Sequence, residues 1–196
     1  MPKSSIQNLA VIGTTIFAGT IDGVYKSDNN GLNWIPANSG ISGISIISFA
    51  TDGADLYAGS EGYGIFVTDD NGITWTQKNN GLGDLYIKEI EINSGGMYVG
   101  TSNGTYSSTT SGSVWNLFAN NVVLTIATAF VSIGTTVYAA DDNSYIYVTN
   151  DTGATWTQIG SGLPWSIGVE DLLESAGTLF AATAIGIYTS ADFGIT

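Results

Sequence analysis

The sequence predicts an all-β fold built from five repeated units, and two observations carry this prediction. A motif centred on a glycine returns every 40 or 41 residues, at Gly31, Gly72, Gly112, Gly153 and Gly194. Short segments rich in β-branched and aromatic residues alternate with clusters of Gly, Asn and Asp, and no helical period is sustained. A fixed period near forty residues indicates a repeat architecture, and four short strands in each unit predict the blades of a β-propeller.

Each predicted unit has the same four segments in order. An apolar first strand is followed by a Gly-containing turn, a second strand, a polar loop, a third strand, the glycine motif and a fourth strand. The fifth unit ends at Thr196, before its fourth strand. We therefore predict a propeller of five four-stranded blades in one domain, residues 1–196, with the last blade lacking its outer strand. The units span about residues 4–44, 45–85, 86–125, 126–166 and 167–196.

The glycine motif, called the turn motif below, is clearest in Thr68-Asp69-Asp70-Asn71-Gly72-Ile73-Thr74-Trp75 and in residues 149–156. An Asp side chain can accept hydrogen bonds from backbone N–H groups in the turn, Gly supplies positive φ, and Trp packs between blades. We expect these carboxylate or amide positions to be structural, because turn geometry accounts for them. They are Asn29, Asp70, Asp151 and Asp192.

The pattern Ser/Thr-x-Asp-x-Gly-x-Thr-Trp resembles the Asp-box, or bacterial neuraminidase, repeat family, whose propellers include sialidases, xyloglucanases and sortilin-like proteins. The resemblance covers essentially the whole chain, although Asn29 replaces Asp in the first copy and Thr110 in the third. It implies that the turn motif is a hairpin at the blade periphery, away from the ligand site.

Composition excludes several classes of function. The 196 residues include 17 acidic and 4 basic side chains, with a net charge of −13, and contain no Arg, His or Cys. Nucleic acids and anionic membranes are therefore not expected partners, because both are bound by clustered basic residues. Catalytic triads and zinc sites based on His or Cys are excluded. We expect no cofactor and no metal, because the spacing of the acidic residues does not match an EF-hand loop.

No apolar run approaches the roughly 20 residues of a membrane helix, so membrane insertion is not expected. The apolar residues 9–19 are expected to be strand rather than a signal-peptide core, because the same pattern recurs inside the chain. The Gly/Ser/Thr/Asn-rich, acidic composition favours a secreted or cell-surface location.

The incomplete fifth unit leaves three arrangements open. The chain closes as a five-bladed ring with a three-stranded last blade, or it is a fragment of a larger ring, or the edge near Tyr188 pairs with another copy and forms a homo-oligomer. The sequence favours the compact five-bladed arrangement, because an open arc exposes two apolar blade faces.

A ligand site is expected at the end of the propeller opposite the turn motifs, where the loops between second and third strands meet the connections between blades. Aromatic faces with acid or amide acceptors suit neutral saccharides, and a protein ligand is the other alternative. Trp165 is the strongest candidate, because it lies outside the register of the turn-motif tryptophans. The other predicted ligand-binding residues are Asp22, Glu61, Tyr63, Tyr86 and Asp141.

An enzymatic alternative is weighed beside this non-enzymatic binding or assembly role. Sialidase activity is excluded, because that chemistry clamps the substrate carboxylate with arginines. The resemblance also includes xyloglucan-cleaving glycoside hydrolases, and Glu89 and Asp171, at equivalent inner-strand positions, are the candidate catalytic pair. A photosystem assembly factor of the same repeat type has a basic binding surface, which this chain lacks.

Overall fold

The computed structural model describes residues 4–118, 126–159, 163–164 and 167–194. Its strands form five separate antiparallel sheets, each following the chain in order, and the described residues contain no helix. Accordingly, no helix in the described ranges is long and apolar enough to cross a membrane.

The sheets are numbered as blades along the chain. Blade 1 contains β1 (Ile6–Ile12), β2 (Thr15–Thr20), β3 (Gly23–Ser27) and β4 (Ile35–Pro36). Blade 2 contains β5 (Ile46–Thr51), β6 (Leu56–Ser60), β7 (Gly64–Thr68) and β8 (Thr76–Gln77). Blade 3 contains β9 (Ile87–Asn93), β10 (Gly96–Thr101), β11 (Gly104–Ser108) and β12 (Asn116–Leu117). Blade 4 contains β13 (Ala127–Ile133), β14 (Thr136–Asp141), β15 (Ile146–Thr149) and β16 (Thr157–Ile159). Blade 5 contains β17 (Val169–Ser175), β18 (Thr178–Thr183) and β19 (Gly186–Ser190).

The blades stack face to face through four apolar clusters, one between each pair of successive blades. We call the face toward the preceding blade the leading face and the other the trailing face. Between blades 1 and 2, Phe17 and Val24 on the trailing face pack in one cluster with Ile46, Leu56 and Phe66 on the leading face. Because both faces of a middle blade are covered, all five residues of β6 are buried.

Each inner strand carries a β-bulge near its start, at the same register in all five blades. In blade 3, for example, Ile87 pairs with Thr101 and Glu89 with Gly100, so that Lys88 is the extra residue. The bulge changes which side chains point to each face, and it places Glu89 and Asp171 at the same register, opposite Gly100 and Ala182.

The predicted fold class is confirmed: five small antiparallel sheets with four strands in blades 1 to 4 and three in blade 5. The favoured compact five-bladed closure is not what the structure shows. Successive inner strands pack from β1 to β17, but β1 and β17 are not among the strand pairs that pack extensively. Apolar side chains on both end blades remain open to solvent, with Leu9 58% and Leu173 59% exposed. The end faces therefore do not cover each other.

Candidate functional site

The antiparallel strand order divides the connections between two ends of the blades. The turns between first and second strands lie at the same end as the turn motifs, which we call the turn-motif end. The turns between second and third strands and the connections between blades lie at the other end, called the loop end. The predicted ligand-binding residues of the described ranges belong to the loop end.

The side chain of Asp70 is engaged within its own turn motif. Its carboxylate accepts hydrogen bonds from the Thr68 hydroxyl at 2.8 Å, the Thr74 backbone N–H at 2.8 Å and the Thr74 hydroxyl at 2.6 Å. The hydroxyl and backbone donors of Thr74 lower the pKa of Asp70 to about 2. The Trp75 indole N–H donates across the blade interface to the Ala37 carbonyl, at 2.9 Å. The motif thus connects a tight turn to the neighbouring blade.

The other copies repeat the contacts within the turn, whereas the Trp34 indole N–H donates to the Gly31 carbonyl of its own turn. The Thr155 hydroxyl lowers the pKa of Asp151, the Asn29 amide oxygen accepts the Asn33 N–H at 2.8 Å, and the Ser190 hydroxyl donates to Asp192 at 2.7 Å. The residue before each motif glycine has a positive φ, between 50° and 60°. These residues are Asn30, Asn71, Ser111, Thr152 and Phe193.

At the loop end, the β6–β7 turn is joined to the connection between blades 2 and 3. Glu61 and Tyr86 form an isolated antiparallel bridge, and the Tyr86 hydroxyl donates to Glu61 Oε1 at 2.9 Å. The Glu61 carboxylate raises the pKa of Tyr86. Tyr63, two residues farther along the turn, is 52% exposed, and Tyr86 is 37% exposed. This group, Glu61, Tyr63 and Tyr86, is called the tyrosine patch.

Two further side chains, those of Asn79 and Asp84, form hydrogen bonds with the backbone of the tyrosine patch. Asn79 accepts the Ile65 N–H at 2.8 Å and donates to the Tyr63 carbonyl at 3.0 Å, which fixes the turn. Asp84 accepts the Tyr86 N–H through Oδ1 at 3.1 Å. Its Oδ2 atom is buried and has no hydrogen-bond partner among the described residues, so it is an acceptor that still needs a donor.

The remaining predicted ligand-binding residues lie apart from the tyrosine patch. Asp22 is exposed on the β2–β3 turn of blade 1, where its carboxylate accepts the Ser4 hydroxyl. Asp141 is only 1% exposed, and its carboxylate accepts the N–H groups of Asn143 and Tyr145. Asp141, which is predicted as a ligand-binding residue, is thus buried and holds its own turn, and burial raises its pKa. Trp165 lies outside the described residues.

Three carboxyl groups of the inner strands, those of Glu89, Glu91 and Asp171, interact electrostatically. Burial raises the pKa of Glu89 to about 8, and the charges of Glu91 and Asp171 add to this effect. Burial also raises the pKa of Glu91. The register places Glu89 on the trailing face of blade 3 and Asp171 on the trailing face of blade 5. At neutral pH, Glu89 therefore holds a proton within the field of an exposed carboxyl group.

The described residues contain no group of three or more acidic side chains arranged to hold a metal ion. At the turn-motif end, a cleft of about 360 Å³ lies between blades 1 and 2, with Thr15, Ala54, Asp69 and Asn71 in its lining.

No protein-family model matches the sequence, and no curated protein is similar to it. Solved structures do match its fold. The extracellular domain of a one component system from B. thetaiotaomicron is 18% identical with a TM-score of 0.78, over 94% of this chain and 26% of that chain. The GH74 xyloglucanase from Xanthomonas campestris is 17% identical with a TM-score of 0.70, over 96% and 37%.

YCF48, in a structure with a bound D1 peptide, is 15% identical with a TM-score of 0.70, over 100% of this chain and 66% of that chain. These likenesses place the chain among β-propellers. It spans 26% to 37% of the length of the sensor domains and GH74 enzymes that it matches.

Sequence reasoning missed two features of the site. The β-bulges were not predicted, because the extra residues share no residue type: they are Gln7, Ile47, Lys88, Thr128 and Glu170. The supporting role of Asn79 has a signal that could have found it, because Asn38 lies 41 residues earlier and likewise accepts an N–H from its own third strand, that of Val24, at 2.6 Å.

Proposed function

We propose that the chain is a non-enzymatic binding module built on an Asp-box β-propeller, and that it binds a neutral oligosaccharide through the tyrosine patch. The observation that carries the proposal is the bridge between Glu61 and Tyr86, which joins an exposed tyrosine ring to a carboxylate at the loop end, with the exposed Tyr63 two residues farther along the same turn. Tyrosine rings cover the apolar C–H faces of sugars, and carboxylate oxygens accept hydrogen bonds from sugar hydroxyls.

Three further observations support the proposal. The turn motifs follow the Asp-box pattern in sequence and lie at the opposite end of the blades. The similar structures include xyloglucanases, by name enzymes acting on a neutral polysaccharide, and extracellular domains of sensory systems. An extracellular or cell-surface location agrees with those neighbours and with the acidic, Gly- and Asn-rich composition.

The test is a panel of neutral oligosaccharides, followed by calorimetry on any ligand that binds. We expect Tyr63→Ala and Tyr86→Ala each to weaken binding about tenfold, which corresponds to about 1.4 kcal/mol. Ile73→Ala is the matched control, because Ile73 is 65% exposed at the turn-motif end. A blank panel, or equal losses in Ile73→Ala, would refute saccharide binding at the patch, and a blank panel would direct the search to protein ligands. Trp165→Ala belongs in the same series, since the sequence singles it out.

A second candidate function, glycoside hydrolysis, is favoured by one observation: the carboxyl groups of Glu89 and Asp171 interact electrostatically, and the pKa of Glu89 is raised to about 8. A glycosidase needs one carboxyl group as the acid and another as the base or nucleophile. Hydrolysis predicts product release from xyloglucan oligosaccharides that is lost in Glu89→Gln and in Asp171→Asn but retained in Glu170→Gln. The binding module predicts no product and unchanged affinity in Glu89→Gln.

A further inference from the structure

The inner strand of blade 1 is open on its leading face, although Ala18 and Tyr25 on the same face are only 0% and 8% exposed. Leu9 is 58% exposed, whereas Ile90, Phe130 and Leu172, at the same register in blades 3 to 5, are at most 6% exposed. The same comparison holds one step earlier along the strand. Ile6 is 46% exposed, whereas its equivalents in the other blades are at most 1% exposed; they are Ile46, Ile87, Ala127 and Val169.

The trailing face of blade 5 is open in the same way. Ile187 is 73% exposed, whereas Val24, Ile65 and Ile146, at the same register of blades 1, 2 and 4, are at most 7% exposed. On the inner strand of the same face, Leu173 is 59% exposed. Among the described residues, apolar side chains are therefore exposed on one leading face and on one trailing face.

The four internal interfaces show what such faces bind. Between blades 1 and 2, trailing residues Phe17 and Val24 pack on leading residues Ile46 and Leu56. The open trailing face presents Phe180 and Ile187 at the positions of Phe17 and Val24. The open leading face presents Ile6 and Ile16 at the positions of Ile46 and Leu56. Both open faces are therefore apolar at these four positions, and Asp171 also lies on the trailing face of blade 5.

The open trailing face of blade 5 also has a small residue at the register where neighbouring blades approach each other closely. A Cβ atom on Gly59 or Gly100 would lie 2.6 or 2.0 Å from the next blade, so these positions must be small. The equivalent residue of blade 4 is Ala140, which packs in one cluster with Val169 of blade 5. Blade 5 also has an alanine at this register, Ala182, and the interface between blades 4 and 5 already accommodates an alanine at this position.

We propose that two copies of this chain associate head to tail, with the leading face of blade 1 of one copy packed on the trailing face of blade 5 of the other. The contact continues the stacking that joins blades within the chain. It uses the faces of the end blades and differs from strand addition at the edge of β19. Because the two faces differ, the contact is heterologous, and successive copies either close into a ring or extend.

The test is the molar mass of the 196-residue chain in solution, from about 1 to about 100 μM, by sedimentation or light scattering. We expect the wild type to associate with rising concentration, and more strongly in salt, which screens repulsion between chains of charge −13. Leu9→Glu and Ile187→Glu should each weaken association at least about tenfold. Leu32→Glu is the control of equal charge, because Leu32 is 82% exposed in the turn motif of blade 1.

Mixing the two variants separates head-to-tail contact from its alternatives. Leu9→Glu keeps an intact trailing face and Ile187→Glu keeps an intact leading face, so the mixture should form a one-to-one dimer and nothing larger. A wild type that stays monomeric overturns the proposal. So does association that both variants leave unchanged, which would indicate edge pairing, or association that only one variant abolishes, which would indicate contact between like faces. Circular dichroism confirms that each variant remains folded.

Discussion

The carboxyl group of Glu89 gives the most direct test of the electrostatic interactions among the inner strands. Its pKa is raised from the ordinary 4.5 to about 8 in the folded chain. Between these values the folded state keeps a proton that the unfolded state has released, so stability must fall as pH rises from about 4.5 to about 8. Each pH unit corresponds to about 1.36 kcal/mol, so the loss amounts to as much as about 5 kcal/mol.

The substitution Glu89→Gln removes this titration while keeping a neutral polar side chain of similar size. We expect the variant to match the wild type near pH 5 and to exceed its unfolding free energy by several kcal/mol near pH 9. Urea unfolding at both pH values measures the difference, which cancels the pH dependence of the other groups in the chain. Glu170→Gln, at an exposed position of β17, is the control and should show little pH-dependent difference.

The outcome that would refute this reasoning is a difference between wild type and Glu89→Gln that is the same at both pH values. It would mean that the carboxyl group is ionised in the folded chain at neutral pH. The acid role that the hydrolase alternative gives to Glu89 would then lose its basis.

Three other predictions concern the turn motifs and the contacts between blades. Trp75→Ala should cost about 3 to 5 kcal/mol of unfolding free energy, because the indole is only 5% exposed. Trp34→Ala should cost clearly less, because that indole is only half-buried and donates a hydrogen bond within its own turn. Equal losses of unfolding free energy would contradict the role of Trp75 between blades. Because the pKa of Asp70 is lowered, its carboxylate contributes to stability above about pH 4, and this contribution is lost as the pH falls toward about 2. The melting temperature of Asp70→Asn should therefore depend less on acid than the melting temperature of the control Asp69→Asn. Gly100→Ala should cost about 1 to 3 kcal/mol, measured by urea unfolding, because the new Cβ lies 2.0 Å from a carbonyl oxygen of blade 4, and no loss would mean that the blades can separate locally.

The fold was predictable because its signals are local and repeated. The turn motif around Gly72 fixes the hairpin between third and fourth strands, and its period of about forty residues counts the blades. Closure of the ring was not predictable, because it depends on the angle between successive blades, which no single residue encodes.

The candidate site was predictable only in part. Topology alone assigns Glu61, Tyr63 and Tyr86 to the loop end, but their joining needs the bridge that only folding reveals. The buried position of Asp141 could not be predicted, because an acidic residue in a polar loop has the same sequence pattern whether it faces solvent or caps its own turn. The interaction of Glu89 with Asp171 was anticipated from equivalent positions, but the degree of burial that raises the pKa of Glu89 was not.

The residue before each motif glycine has a left-handed backbone conformation, and the five residues at this position differ in how well they tolerate it. The first two copies meet this requirement with Asn30 and Asn71, a residue type that tolerates positive φ, whereas later copies use Ser111, Thr152 and Phe193. A side chain ill suited to this conformation costs about 1 to 2 kcal/mol, so the later hairpins hold a reserve of stability that replacement by Asn would release. The five turns therefore reach the same geometry at different conformational costs. Blades 3 to 5 are the part of the chain whose stability consensus design can improve most.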